Sequence, residues 1–124
     1  MLIEGLYKVT ATENTAEGIL AKVHLNEDHA IFKGHFPGNP VMPGVCMIQI
    51  IKELTEETTG KNLFLAVSSN IKFMAIINPE KNPDLQLSID ITQENGEVKV
   101  KNTTSFEETV ALKLNATFKI VDKT

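Results

Sequence analysis

His35 stands in the run GHFPGNPVMPG at residues 34–44, which holds three prolines and three glycines. An imidazole, with an ordinary pKa of roughly 6.5, is suited to moving protons near neutral pH. The surrounding prolines and glycines exclude a helix or a central strand. They shape an irregular loop whose backbone a ligand can approach closely. The helix expected after this loop begins at Gly44 and Val45. Their N–H groups precede the first intrahelical bond and have the helix dipole behind them, a natural site for an oxygen that takes on negative charge. Gln49 and Glu53 follow on the same helix, one turn or about 5.4 Å apart. Cys46 lies between the helix start and these polar residues, but only the helix start would lower its pKa, so a nucleophilic role is disfavoured. These residue types suit proton transfer beside a polarised oxygen.

The elements that must hold them are visible in the patterning. Residues 6–12 form a short strand candidate. Over residues 17–26, Ile19, Ala21, Val23 and Leu25 alternate with Leu20, Lys22 and His24, the period of a half-buried strand. Residues 45–59 contain neither glycine nor proline. Pro43 fits a first helical turn, and Gly60 fits a C-terminal stop. The first half of this helix is apolar almost all round (Val45, Cys46, Met47, Ile48, Ile50, Ile51, Leu54), so a curved sheet is expected to wrap it. Residues 55–59 are polar and are expected to emerge into water. Beyond Gly60 only strand signals remain. Leu63, Leu65, Val67, Ile71 and Phe73 share one face of a long extended segment, and residues 78–84, with Pro79 and Pro83, read as a loop. Leu85, Leu87, Ile89 and Ile91 alternate with polar residues up to Asn95-Gly96, the strongest short hairpin signal. Val98 and Val100 continue the returning strand. Val110, Leu112, Leu114, Ala116, Phe118 and Ile120 form the last one. Two strands, a shaped loop, a buried helix and about four more strands predict an α+β fold with one mostly antiparallel sheet. The open edges of such a sheet invite a second copy, so a homodimer is expected.

Composition excludes several classes of function. The chain has 124 residues, 42% apolar and 23% charged, enough for one packed core and too apolar for a disordered tail. Its formal charge is −4, which argues against nucleic acid or an anionic membrane as the main partner. Every basic residue is a lysine, so no guanidinium fork is available to grip a carboxylate or phosphate. A single cysteine, Cys46, forbids an internal disulfide and fits a reducing compartment. Residues 1–10 lack the basic start and apolar run of a signal peptide. No apolar stretch approaches the roughly 20 residues needed to cross a bilayer. A soluble, cytoplasmic domain is expected.

The segment FKGHFPGNPVMPGV, residues 32–45, resembles the signature of the (3R)-hydroxyacyl-acyl-carrier-protein dehydratases of fatty-acid synthesis, whose loop reads GHFPGxPVMPGV. NIKF at residues 70–73 is similar to that family's strand after the helix. The resemblance implies the hotdog fold, one domain over residues 1–124, and a dimer, with or without further association, whose active sites lie at the subunit interface. It implies a substrate held as a thioester on phosphopantetheine, from acyl-carrier protein or coenzyme A, with no metal and no cofactor of the protein's own. Dehydration needs a base at C2, an acid at the departing C3 hydroxyl and donors to the thioester oxygen. The resemblance gives His35 as the base, the N–H groups of Gly44 and Val45 as the donors, and Phe36 and Gly38 as substrate-contacting members of the loop. A loop histidine ordinarily does no more than bond backbone. His24 and His29 keep that reading and are expected at the surface.

The chain departs from the family in two places. The family's acid is a glutamate at the eighth residue counted from Met42. That position is Gln49, whose amide donates and accepts hydrogen bonds but supplies no acidic proton. The family's order Glu-x-x-x-Gln becomes Gln49-x-x-x-Glu53. Gln49, Glu53, Glu56 and Glu57 are either the polar stripe of an amphipathic helix, or Gln49 lines the substrate pocket while Glu53 reaches substrate through water. A pocket-lining Gln49 and a structural Glu53 are favoured. The family's arginines in the strand that begins KF are also missing, leaving Lys72 as a point charge for the phosphopantetheine. Lys33 and Lys61 are further candidates for docking a carrier. The leading expectation is a dehydratase-like protein with a rearranged acid function. A thioesterase in which Gln49 positions water and a non-catalytic acyl-binding subunit paired with an active homologue are the alternatives.

Overall fold

The computed structural model describes residues 5–32 and 41–121. Its elements run β1 (Tyr7–Asn14), β2 (Gly18–Leu25), a single 3-10 turn (Ala30–Phe32), α1 (Gly44–Thr59), β3 (Asn62–Phe73), β4 (Asp84–Glu94), β5 (Glu97–Phe106) and β6 (Thr109–Val121). The six strands form one sheet in the order β1-β2-β4-β5-β6-β3, and every pairing is antiparallel. β1 and β3 are therefore the edges. The sheet curls around α1, as expected for a helix with so apolar a face.

Helix α1 buries Cys46, Met47, Ile50, Ile51 and Leu54 in one core with the sheet, where Val23, Leu87, Val98, Leu114 and Phe118 are at most about 1% exposed. β2 approaches β4 so closely that a side chain at Gly18 would meet the Ile89 carbonyl oxygen. Two hairpin turns use positive φ at non-glycine residues, Asn95 at 51° and Glu107 at 54°. Among the described residues, three polar side chains are fully buried in or beside the core, and each has a partner. Thr55 Oγ1 donates to the Ile51 carbonyl at 2.7 Å, Asn102 Nδ2 donates to the Ser88 carbonyl at 3.1 Å, and Thr104 Oγ1 donates to Asn102 Oδ1 at 2.9 Å.

The fold corrects three expectations. Thr55 is buried instead of emerging into water. Its hydroxyl bonds back to the preceding turn, and Thr58 and Thr59 do the same, so polar residue type does not decide exposure at this end of the helix. Val45, expected to be wrapped, is 74% exposed, because it lines an open cleft instead of the core. In β3, irregularities between Leu65 and Val67 and between Ser68 and Asn70 break the two-residue rhythm, and the register sets Val67 opposite Thr117 and Ser68 opposite Ala116. Ile71 and Phe73 at the far end of the strand are largely exposed.

Candidate active site at the start of the helix

Pro43 precedes α1 in an extended conformation (φ −66°, ψ 145°) and caps it without a side-chain bond. It therefore sits just outside the first turn. Its carbonyl accepts from the N–H groups of Cys46 at 3.1 Å and Met47 at 3.2 Å. Gly44 and Val45 come before those bonds, so their N–H groups belong to the positive end of the helix. Gly44 packs closely on β3: a Cβ there would stand 3.2 Å from the ring of Phe73, so a larger residue would require that ring to give by a few tenths of an ångström.

A cleft of about 670 Å³ opens at this point, lined by residues 41–45 and 73–77. Its walls are almost entirely apolar, and Phe73, Met74, Val45 and Ile76 are 49–74% exposed along it. Composition alone does not separate core from cleft among the methionines and phenylalanines. The fold separates them: Met47, Phe32 and Phe118 are buried in the core, Phe73 and Met74 are on the cleft side, and Met42 is buried at the cleft wall.

One turn beyond Val45, Gln49 and Glu53 are half-buried and bonded to each other, Gln49 Nε2 donating to Glu53 Oε2 at 2.8 Å. Tyr7 of β1 joins the cluster by donating its hydroxyl to Glu53 Oε1 at 2.6 Å from 46 residues away in the chain. Sequence reading missed Tyr7, and no local pattern announces a pairing over that distance. Burial raises the Tyr7 phenol well above its ordinary value of 10.0, and the Glu53 hydrogen bond and the charges of Glu53 and Glu57 raise it further. The folded state thus holds this proton more tightly than the unfolded chain. The resulting stability is intact below pH about 10 and declines as pH rises beyond it. Tyr7 is the one tyrosine, and the chain has no tryptophan, so near-ultraviolet phenolate absorbance reads it alone. That absorbance is expected to appear only with loss of circular dichroism in strong alkali. A phenolate forming at about pH 10 in folded protein would contradict the burial of this group.

The remaining residues sort as follows. His35, Phe36, Gly38 and Lys33 lie outside the described residues. Gly44 and Val45 line the cleft. Lys72 is exposed on β3, next to Phe73 and directly opposite Lys113 of β6, a pairing of like charges that favours an anion on that face. Burial pushes the Cys46 thiol up, which leaves it the less reactive thiol form. The His24 side chain is 43% exposed, as expected, His29 is half-buried, and both are engaged. His24 Nδ1 lies 2.7 Å from Asp84 Oδ1, and His29 Nδ1 accepts from the Ile31 N–H at 3.0 Å. Their backgrounds are structural: one joins β2 to β4, the other stabilises the 3-10 turn. Among the described residues no helix is long and apolar enough to cross a membrane.

An edge-to-edge sheet curled round one helix, with that helix opening on an apolar cleft, is the hotdog architecture. Residues 10–113 match the model of the ApeI-like family, described as ApeI dehydratase, and the chain belongs to this family of hotdog dehydratases. It is 31% identical over 116 residues to the 3-hydroxyacyl-[acyl-carrier-protein] dehydratase FabZ of Lactobacillus helveticus (strain DPC 4571), covering 88% of this chain and 78% of the relative. Among solved structures, the dehydratase heterocomplex ApeI:P from Xenorhabdus doucetiae superposes with a TM-score of 0.74 at 18% identity, covering 90% of this chain and 96% of that one. A hypothetical thioesterase with coenzyme A from Streptococcus pneumoniae TIGR4 superposes with a TM-score of 0.66 at 10% identity, covering 94% and 87%.

Proposed function

We propose that this chain dehydrates 3-hydroxyacyl thioesters carried on phosphopantetheine, in the cytoplasm and as a homodimer, with an acid function weaker than its carboxyl-bearing relatives have. The observation that carries the reading is the start of α1 opening on the apolar cleft. The N–H groups of Gly44 and Val45 polarise the thioester oxygen, and the cleft takes the acyl chain. His35 removes the C2 proton, the electrons form the C2–C3 double bond, and the C3–O bond breaks. The departing hydroxyl needs a proton that Gln49 lacks, so another group or water supplies it, and turnover is slow. The Lys72–Lys113 pair, on the outer face of β3 and β6, gives an acidic carrier protein a local landing point on a chain whose net charge is −4.

A thioesterase is the second reading, favoured by the likeness to thioesterase structures and by an amide able to orient water. One experiment covers both. The purified protein should sediment at about twice 13.7 kDa and convert a 3-hydroxyacyl-carrier-protein to the enoyl thioester without releasing thiol. Thiol release without enoyl product selects the thioesterase. Tight acyl binding without either product selects an acyl-binding subunit. A monomer at micromolar concentration rules out a site shared between two copies.

A further inference from the structure

The cluster of Tyr7, Glu53 and Gln49 runs in one direction. The Tyr7 hydroxyl and the Gln49 amide nitrogen both donate to Glu53, one to each carboxylate oxygen. A carboxylate only accepts, so an amide that meets it must turn its nitrogen toward it. The Gln49 carbonyl oxygen then lies on the other side of the amide, away from Glu53. Burial and the nearby carboxylates keep the Tyr7 phenol protonated, so Tyr7 remains a donor to Glu53. We propose that Glu53 is a positioning residue that sets substrate choice by holding the Gln49 amide with its oxygen outward, as an acceptor for the 3-hydroxyl. A hydroxyl donates to that oxygen. A 3-oxo group can only accept and must make do with the second amide N–H.

This inference rests on the dehydratase reading, in which residue 49 faces the substrate's C3 oxygen. Replacement of Glu53 by glutamine keeps the shape but removes the direction. The new amide can donate or accept, the Tyr7 hydroxyl can do either, and Gln49 is free to sit either way round. Tyr7→Phe is different, because Glu53 still only accepts and Gln49 stays as it was.

The probes are a matched pair, 3-hydroxyoctanoyl and 3-oxooctanoyl pantetheine with an amide in place of the thioester, which lowers C2 acidity and prevents turnover. The parent protein should bind the hydroxy ligand roughly fivefold more tightly than the oxo ligand, the scale of one hydrogen bond. That ratio should fall to within about twofold in Glu53→Gln and survive in Tyr7→Phe, with both variants folded by circular dichroism. A merely structural Glu53 would change the affinity for both ligands alike. An unchanged ratio in Glu53→Gln, or an equal collapse in both variants, overturns the proposal. Should the parent bind neither ligand, the dehydratase reading fails, and side-chain amide spectra decide the orientation separately. The two Gln49 amide protons, assigned by their loss in Gln49→Ala, should be widely split in the parent and in Tyr7→Phe and draw together in Glu53→Gln. Splitting unaltered by Glu53→Gln shows that the carboxylate does not orient the amide.

Discussion

Replacing His35 with alanine should lower the turnover of 3-hydroxyacyl thioester by at least about a hundredfold, the low end of a positioned general base's contribution. The loss should fall on kcat. The cleft of residues 41–45 and 73–77 and the N–H groups at the start of α1 keep their own residues in the variant, so KM is expected to move little. Folding should persist as well, because the core cluster of α1 and the sheet is built from apolar side chains, and the melting temperature should stay within a few degrees of the parent's. The control is free imidazole. A side-chain cavity left by alanine can admit it, and partial recovery of turnover would tie the loss to a missing base instead of a displaced loop. Turnover within a few-fold of the parent would place the chemistry on another residue. His24 and His29 are poor substitutes, since both ring nitrogens that face protein already have partners.

The parts of the fold that were legible in the sequence are those governed by local physics. The stop at Gly60 follows from a left-handed residue at φ 71° whose N–H bonds the Glu56 carbonyl, a conformation that glycine adopts without strain. Asn95-Gly96 turns with φ of 51° and 77°, the positive pair that a two-residue hairpin needs. The alternation in β2 survives residue by residue, with Ile19, Ala21, Val23 and Leu25 buried. The missed features depend on distant neighbours. The hairpin at Glu107 has no glycine or asparagine to signal it, and the pairing of β5 with β6 imposes its positive φ. The irregularities of β3 arise from its register on β6 and cannot be read from its own residues. The site divides in the same way. The helix start and the Gln49-x-x-x-Glu53 spacing are local and were readable. Tyr7 reaches Glu53 only because β1 forms the sheet edge past α1, and Phe73 meets Gly44 only because β3 ends beside the helix start.

Gln49→Glu is expected to raise dehydratase turnover by at least about tenfold, since it returns a carboxyl to the position where the family carries its acid. The surroundings make that carboxyl a usable acid. Gln49 already lies at hydrogen-bond distance from Glu53, 2.8 Å between Nε2 and Oε2. In the variant two carboxyl groups would face each other at that distance. Both cannot ionise at low cost, so the pair retains one proton to higher pH than either would alone. That shared proton is what a departing hydroxyl requires near neutrality. The same coupling costs stability, about 1–3 kcal/mol for a partly buried group that loses its donor. Its pH dependence has a definite sign. The folded variant binds the proton more tightly than the unfolded chain, so the penalty is present at high pH and shrinks as pH falls through the raised pKa. Denaturant titrations at pH 8 and pH 5.5 should show the variant closing on the parent at the lower value. The double variant Gln49→Glu, Glu53→Gln restores the family order and supplies the new carboxyl with an amide donor in place of a competing charge. It should regain the lost stability and keep the added turnover. A gain confined to the double variant would show that Glu53 interferes with the new acid. With both variants folded and neither gaining enoyl product, the dehydratase reading would give way to thioester hydrolysis or acyl binding, which the released-thiol assay separates.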